Sequence, residues 1–177
     1  MNSDTADVAF RDSASTPETP ETGLLAYRAP AAVTAIRGRS VFLAGSIQGG
    51  PDPWQAQVAR RLRGPATVLD PRRDDWDASW VQRASDGRFA AQTAWELDQQ
   101  ARADVVAFYL DPATEAPVSL LELGLAVRRP GKDVVVCCPD GFARKGNVEI
   151  VCERMKVPLV ETLERLVQWI EEKLQQR

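Results

Sequence analysis

Glu122 is the residue of this chain best placed to do chemistry. Asp104-Val105-Val106-Ala107-Phe108-Tyr109-Leu110-Asp111 is an apolar, β-branched run that ends in Asp111-Pro112. A short loop follows, then Ser119-Leu120-Leu121-Glu122-Leu123-Gly124. In an open α/β sheet, ligands bind outside the carboxyl ends of the strands. A carboxylate in the first turn of the next helix therefore faces the ligand cleft. Ser119 and Glu122 also have the spacing of a capping box, so spacing alone leaves cap and catalyst as alternatives. The chain has no histidine, the most frequent general base and a common zinc ligand. Acid–base chemistry therefore runs on carboxylates. Glu96 and Asp98 lie near the end of the preceding helix and add further carboxylates. Asp104 precedes its strand, belongs at the opposite sheet edge, and is expected to be structural.

Two further loops are expected on the same edge. Gly45-Ser46-Ile47-Gln48-Gly49-Gly50 is small enough for backbone N–H groups to approach an anion or a sugar. It lacks the spacing of a dinucleotide fingerprint and the lysine of a Walker loop, and a plain tight turn is the simpler reading. Asp70-Pro71-Arg72-Arg73-Asp74-Asp75-Trp76-Asp77 is either solvated charge or a ligand wall. In the second case Trp76 or Trp80 stacks on a planar base, and Arg72 or Arg73 meets an anionic group.

The elements that must position these residues follow from periodicity. Short apolar strands are expected at residues 41–45, 67–69, 105–110, 134–138 and 157–160. Helical spacing is expected at 54–63, 88–103, 119–128, 147–155 and 162–175, with Asn147 as an N-cap. Five strands alternating with helices imply an α/β fold, a flavodoxin-like or Rossmann-like five-stranded parallel sheet with helices on both faces. Residues 1–35 are rich in Ser, Thr, Pro, Asp, Glu and Ala and read as a disordered tail, with Leu24, Leu25 and Tyr27 as candidates for local docking. Residues 36–177 form the domain.

Bulk composition narrows the function. At 177 residues one domain with a real core is the default. A net charge of −3 gives no electrostatic case for a nucleic-acid polymer. No apolar run approaches the ~20 residues that span a bilayer, and the first residues lack a signal peptide pattern. The three cysteines, Cys137, Cys138 and Cys152, are an odd number. They read as reduced core thiols of a cytoplasmic protein. No metal or cofactor is expected.

Val41-Phe42-Leu43-Ala44-Gly45-Ser46-Ile47, Ala103-Asp104-Val105-Val106 and Glu122-Leu123-Gly124 together resemble the nucleoside 2-deoxyribosyltransferase superfamily. Ser46-Ile47-Gln48-Gly49-Gly50 is similar to the phosphate loop of its nucleotide N-hydrolase branch. Trp95-Glu96 with Ser119 to Gly124 is similar to a deoxyribosyltransferase-like branch. The resemblance implies cleavage of the N-glycosidic bond of a nucleoside or nucleotide, by hydrolysis or by transfer to another base. It implies Glu122 as nucleophile, through a glycosyl ester, and Glu96, with Asp98 in reserve, as the acid that protonates the leaving base. It also implies a homodimer in which Asn147 reaches a neighbouring site. Asp70, Asp111 and Ser119 are the further substrate-binding candidates.

Two positions depart from that pattern. Phe42 stands where many members have a tyrosine that hydrogen-bonds the nucleophile. Ala116 stands where members hold the sugar or phosphate with serine or aspartate, a role that Asp111, Glu115 or Ser119 would have to take. The competing expectations are a pocket that binds without turnover and an NAD-cleaving glycohydrolase.

Overall fold

The computed structural model describes residues 23–47 and 50–176. Six strands form one all-parallel sheet: β1 (Leu25–Arg28), β2 (Arg39–Gly45), β3 (Ala66–Asp70), β4 (Val105–Tyr109), β5 (Asp133–Cys137) and β6 (Leu159–Val160). Five helices alternate with them: α1 (Trp54–Arg61), α2 (Gly87–Arg102), α3 (Pro117–Ala126), α4 (Lys145–Met155) and α5 (Leu163–Gln175). Among the described residues no helix is long and apolar enough to cross a membrane.

The strand order is β1-β3-β2-β4-β5-β6. Counted from β2, the last five strands have the flavodoxin order 2-1-3-4-5. The chain leaves β2 toward β3 on one side, and β4 lies on the other. The switch point is therefore between the carboxyl ends of β2 and β4, where Gly45 pairs with Tyr109.

The strands are apolar on both faces because both are covered. Val41, Leu43, Val105, Ala107 and Val135 pack against α1 and α5. Phe42, Ala44, Val106, Phe108 and Val136 pack against the opposite layer, which includes Leu123 and Ala126 of α3 and Val148 and Cys152 of α4. Trp95 of α2 joins that layer, with its ring centroid 6.3 Å from that of Phe42.

The sixth strand corrects the expected count and the expected tail. β1 lies inside the segment read as disordered and extends the sheet beyond β3, from Leu25 opposite Thr67 to Arg28 opposite Asp70. Leu24, Leu25, Ala26 and Tyr27 are buried. The chain then crosses α2, where the Trp95 indole donates to the Ala31 carbonyl at 3.0 Å. The ordered domain therefore begins before residue 36. Residues 1–22 of the expected tail lie outside the described residues.

Asp104 has the structural role expected of it. At the amino end of β4 its Oδ2 accepts from the Ser40 amide at 2.7 Å and the Ser40 hydroxyl at 2.8 Å. The three cysteines are free and buried, and burial pushes the Cys137 thiol up to about 12.

Candidate functional site

A cavity of about 280 Å³ opens at the switch point. Its floor is Phe42, Ala44, Gly45, Ser46 and Ile47, at the end of β2. Thr114, Ala116, Pro117, Val118 and Ser119 form one wall, and Pro71 and Glu96 another. Glu122 completes the lining.

Gly45 is required at the end of β2. Its φ is +125°, and a Cβ there would sit 2.2 Å from the Tyr109 carbonyl oxygen. Ser46, 2 % exposed, then ties three elements together. Its N–H donates to the Tyr109 carbonyl at 2.8 Å, and its carbonyl accepts from the Trp54 indole at 2.8 Å. Its hydroxyl accepts from the Asp111 N–H at 2.9 Å and lies 2.6 Å from the Thr114 hydroxyl. The first amide of the expected anion loop is thus engaged within the protein. Gln48 and Gly49 lie outside the described residues, and Gly50 is exposed.

The start of α3 rules out the capping box for Glu122. The N-cap is Ala116, in the left-handed region at φ 43°, with Pro117 opening the helix. Proline disfavours the α-region for the residue before it, so the helix begins at this point rather than earlier. Ser119 is the third helical residue and Glu122 lies in the second turn. The two do not form a capping box. Ser119 is buried in the cavity wall, and Glu122 faces inward.

Glu96 reaches the same cavity from α2. Both carboxyls are partly buried, and burial is the main influence on each. It raises Glu96 above the usual carboxylate range. It lifts Glu122 to about 7, helped by the neighbouring Glu96 charge and opposed by a hydrogen bond from Gln100. Because the Glu96 charge raises Glu122, the two titrate as a pair, Glu122 holding its proton more readily while Glu96 ionises. Such a pair can supply a nucleophile or base and an acid at neutral pH.

The remaining candidates fall elsewhere. Asp98 is exposed and outside the lining, because two residues along α2 turn a side chain by about 200° from Glu96. Asp70 is buried at the end of β3, where its carboxylate accepts from the Arg72 guanidinium and backbone N–H. Those two groups serve each other and do not line the cavity. Trp76 is exposed and packs on Trp80 with ring centroids 5.0 Å apart. Arg73 and Arg88 lie over the Trp80 ring, so this loop closes on itself. Asp111 braces the loop after β4, its Oδ1 accepting from the Ala113 N–H. Asn147 is neither the N-cap of α4, which is Arg144, nor part of the cavity, and it is exposed.

Sequence reasoning missed Gln92, Gln100 and Thr114. Gln100 Nε2 donates to Glu122 Oε1 at 2.7 Å, and Gln92 Nε2 to Glu96 Oε1 at 2.8 Å. The available signal was helical spacing: Gln92, Glu96 and Gln100 recur every four residues on one face of α2.

Residues 38–142, well over half the chain, match the family model described as nucleoside 2-deoxyribosyltransferase like. The match spans β2 through β5 and includes both glutamates. Among curated proteins, none matches the chain.

Proposed function

Because this chain belongs to the nucleoside 2-deoxyribosyltransferase-like family, we propose that it cleaves the N-glycosidic bond of a nucleoside or nucleotide. The observation that carries the reading is the pair of glutamates, Glu122 from α3 and Glu96 from α2, lining one cavity at the switch point of the sheet. Glu122 is the more basic carboxyl of the free pair, so the state that reacts is the singly protonated one in which the shared proton has passed to Glu96. Glu122, then ionised, attacks C1′ of the sugar and forms a glycosyl ester. The C1′–N bond breaks, and its electron pair goes to the base nitrogen. Protonated Glu96 supplies the proton that the leaving base takes. Water, or a nitrogen of a second base, then attacks C1′. Glu96 accepts the proton released, and the Glu122 carboxylate is regenerated. Covalent catalysis splits one difficult displacement into two easier ones, as in retaining glycosidases.

The substrate on this reading is a small molecule rather than a nucleic-acid polymer. A homodimer fits the surface: Val118, Leu121 and Leu125 of α3 and Ile150 of α4 are exposed apolar side chains beside the site-bearing layer. Three free buried thiols suit a reducing, cytoplasmic setting.

Phe42 and Ala116 favour a second reading. Both line the cavity, and neither carries the polar group that the family pattern has there. A protein that binds nucleotides without turning them over would look the same at these positions. One experiment separates the readings. The protein is incubated with nucleosides, 5′-monophosphates and NAD, with and without free base, and base release is followed by chromatography. Release that Glu122→Gln abolishes and Glu96→Gln strongly slows supports the mechanism. Release without an acceptor base makes it a hydrolase, and release only with one makes it a transferase. Binding without release supports the second reading and refutes the first.

A further inference from the structure

Helix α2 places three polar side chains on one face, a turn apart: Gln92, Glu96 and Gln100. Both glutamines are nearly sealed from solvent, Gln92 at 3 % exposure and Gln100 at 5 %. Glutamine is ordinarily a surface residue, and a buried amide is costly unless its hydrogen bonds are made. Here each amide is directed at a glutamate of the cavity. Gln100 Nε2 donates across the gap between helices to Glu122 Oε1 at 2.7 Å. Gln92 Nε2 donates to Glu96 Oε1 and to the Pro71 carbonyl, both at 2.8 Å. The Gln92 carbonyl oxygen in turn accepts from Arg73 Nη1 at 3.5 Å. Two acceptors on the nitrogen side and a cation on the oxygen side leave this amide one sensible orientation. Arg73 is itself held by Asp75 through two hydrogen bonds, at 2.8 and 2.7 Å, and by the Trp80 face.

We propose that Gln100 is the positioning residue for Glu122 and Gln92 the positioning residue for Glu96, each holding Oε1 of its glutamate and leaving Oε2 to the substrate. The assignment of Glu122 to the attack on C1′ rests on the proposed function; the positioning itself does not. A neutral donor suits this task. It favours the ionised carboxylate over the neutral one, offsetting part of the effect of burial. It also carries no charge that would tie the carboxylate up as a salt bridge. The charged loop after β3 gains a role as well, since Arg73 and Asp75 brace Gln92 from outside the cavity.

The test is a carboxyl titration of the full chain by carbon NMR with labelled glutamate, the Glu122 signal being assigned by its loss in Glu122→Gln. Gln100→Met keeps an unbranched side chain and removes the donor. One hydrogen bond to the ionised form is worth up to about tenfold in the equilibrium, so the Glu122 midpoint is expected to rise by up to about one pH unit. The acid limb of the base-release profile should move with it, with kcat falling more than KM changes. Gln92→Met is the independent second variant, read on the Glu96 signal. A folded Gln100→Met protein with an unmoved Glu122 midpoint overturns the proposal, as does an unmoved Glu96 midpoint in Gln92→Met should the first variant fail to fold. A shifted midpoint together with full base release by Glu122→Gln keeps the positioning role and removes the glycosidic mechanism. An inactive Glu122→Gln with an unmoved midpoint in Gln100→Met does the reverse.

Discussion

Replacing Glu122 with glutamine should remove activity and make the protein more stable at alkaline pH. The magnitude follows from its surroundings. Burial and the Glu96 charge lift the Glu122 carboxyl from its ordinary 4.5 to about 7. Between those two values the folded chain keeps a proton that the unfolded chain has already lost. Stability therefore falls as pH rises through this window, and the loss is complete above the folded value. At about 1.4 kcal/mol per pKa unit, forcing the folded protein to ionise this group costs about 3 kcal/mol. Glutamine has nearly the same shape and no charge, and its carbonyl can accept the hydrogen bond from Gln100. The variant should match the parent near pH 4 and exceed it by about 3 kcal/mol at pH 8. For a domain of this size that is roughly 6–12 °C in Tm. Part of the gain belongs to Glu96, which ionises more easily once its neighbour is neutral, so the difference measures the pair. Thermal or urea unfolding of both proteins at pH 4, 6 and 8 checks it, with base release followed on the same samples. A stability difference that does not change with pH, or a variant less stable at pH 8, would refute the electrostatic account of the site.

Three further outcomes follow from the structure. Deleting residues 2–22 should leave Tm and base release unchanged, whereas deleting 2–35 removes β1 and the burial of Leu24, Leu25 and Tyr27, roughly 5 kcal/mol at 1.5–3 kcal/mol per large apolar side chain. That is a large share of a domain's net stability, and calorimetry should show a Tm drop of 10 °C or more; a small drop would mean that β1 adds little to the core. Nucleosides should bind at least as tightly as their 5′-monophosphates by calorimetric titration, because two carboxyls and no basic side chain line the cavity among the described residues and the Ser46 amide is engaged; a clear preference for monophosphates would contradict this. If Asn147, exposed and outside its own cavity, serves a neighbouring site, mixing inactive Glu122→Gln with an inactive Asn147→Ala variant should restore base release as subunits exchange, and a monomer by light scattering, or no rescue despite exchange, would reject it.

The fold was legible because buried parallel strands leave a simple trace. Runs such as Val41-Phe42-Leu43-Ala44 and Val134-Val135-Val136 are apolar at every position, which only a sheet covered on both faces requires. Boundaries shifted by a few residues where capping decided them. Helix α3 starts at Pro117 rather than Ser119 because an Ala116-Pro117 step, not a serine, ends the loop. β1 was obscured for a different reason. Leu24 to Tyr27 is a short apolar run inside a polar, proline-rich segment, and its burial depends on pairing with β3 and on the layers packed on both faces of the sheet, which no local pattern reveals.

The two carboxyls that line the cavity were legible, and the side chains that hydrogen-bond them were not. A carboxylate set among Leu120, Leu121 and Leu123 contradicts its surroundings, and such contradictions mark functional positions. Glutamine carries no comparable signal. Gln92 and Gln100 resemble ordinary polar residues of a surface helix until the fold brings Glu122 against α2 and the loop after β3 over its other end. The charged loop shows the converse. Its arginines, tryptophans and aspartates read as a ligand wall because they are the types that bind ligands. In the fold, Asp70 holds Arg72, and Arg73 is shared among Asp75, Gln92 and Trp80. Residue type alone does not distinguish a group that binds a ligand from one that holds the binder in place. What separates them is direction along a helix: Glu96 and Asp98 are two residues apart and chemically alike, yet one lines the cavity and the other faces solvent. On α2 the four-residue step from Gln92 to Glu96 to Gln100 carries that information, and it becomes visible only when read outward from a glutamate already known to face the cavity.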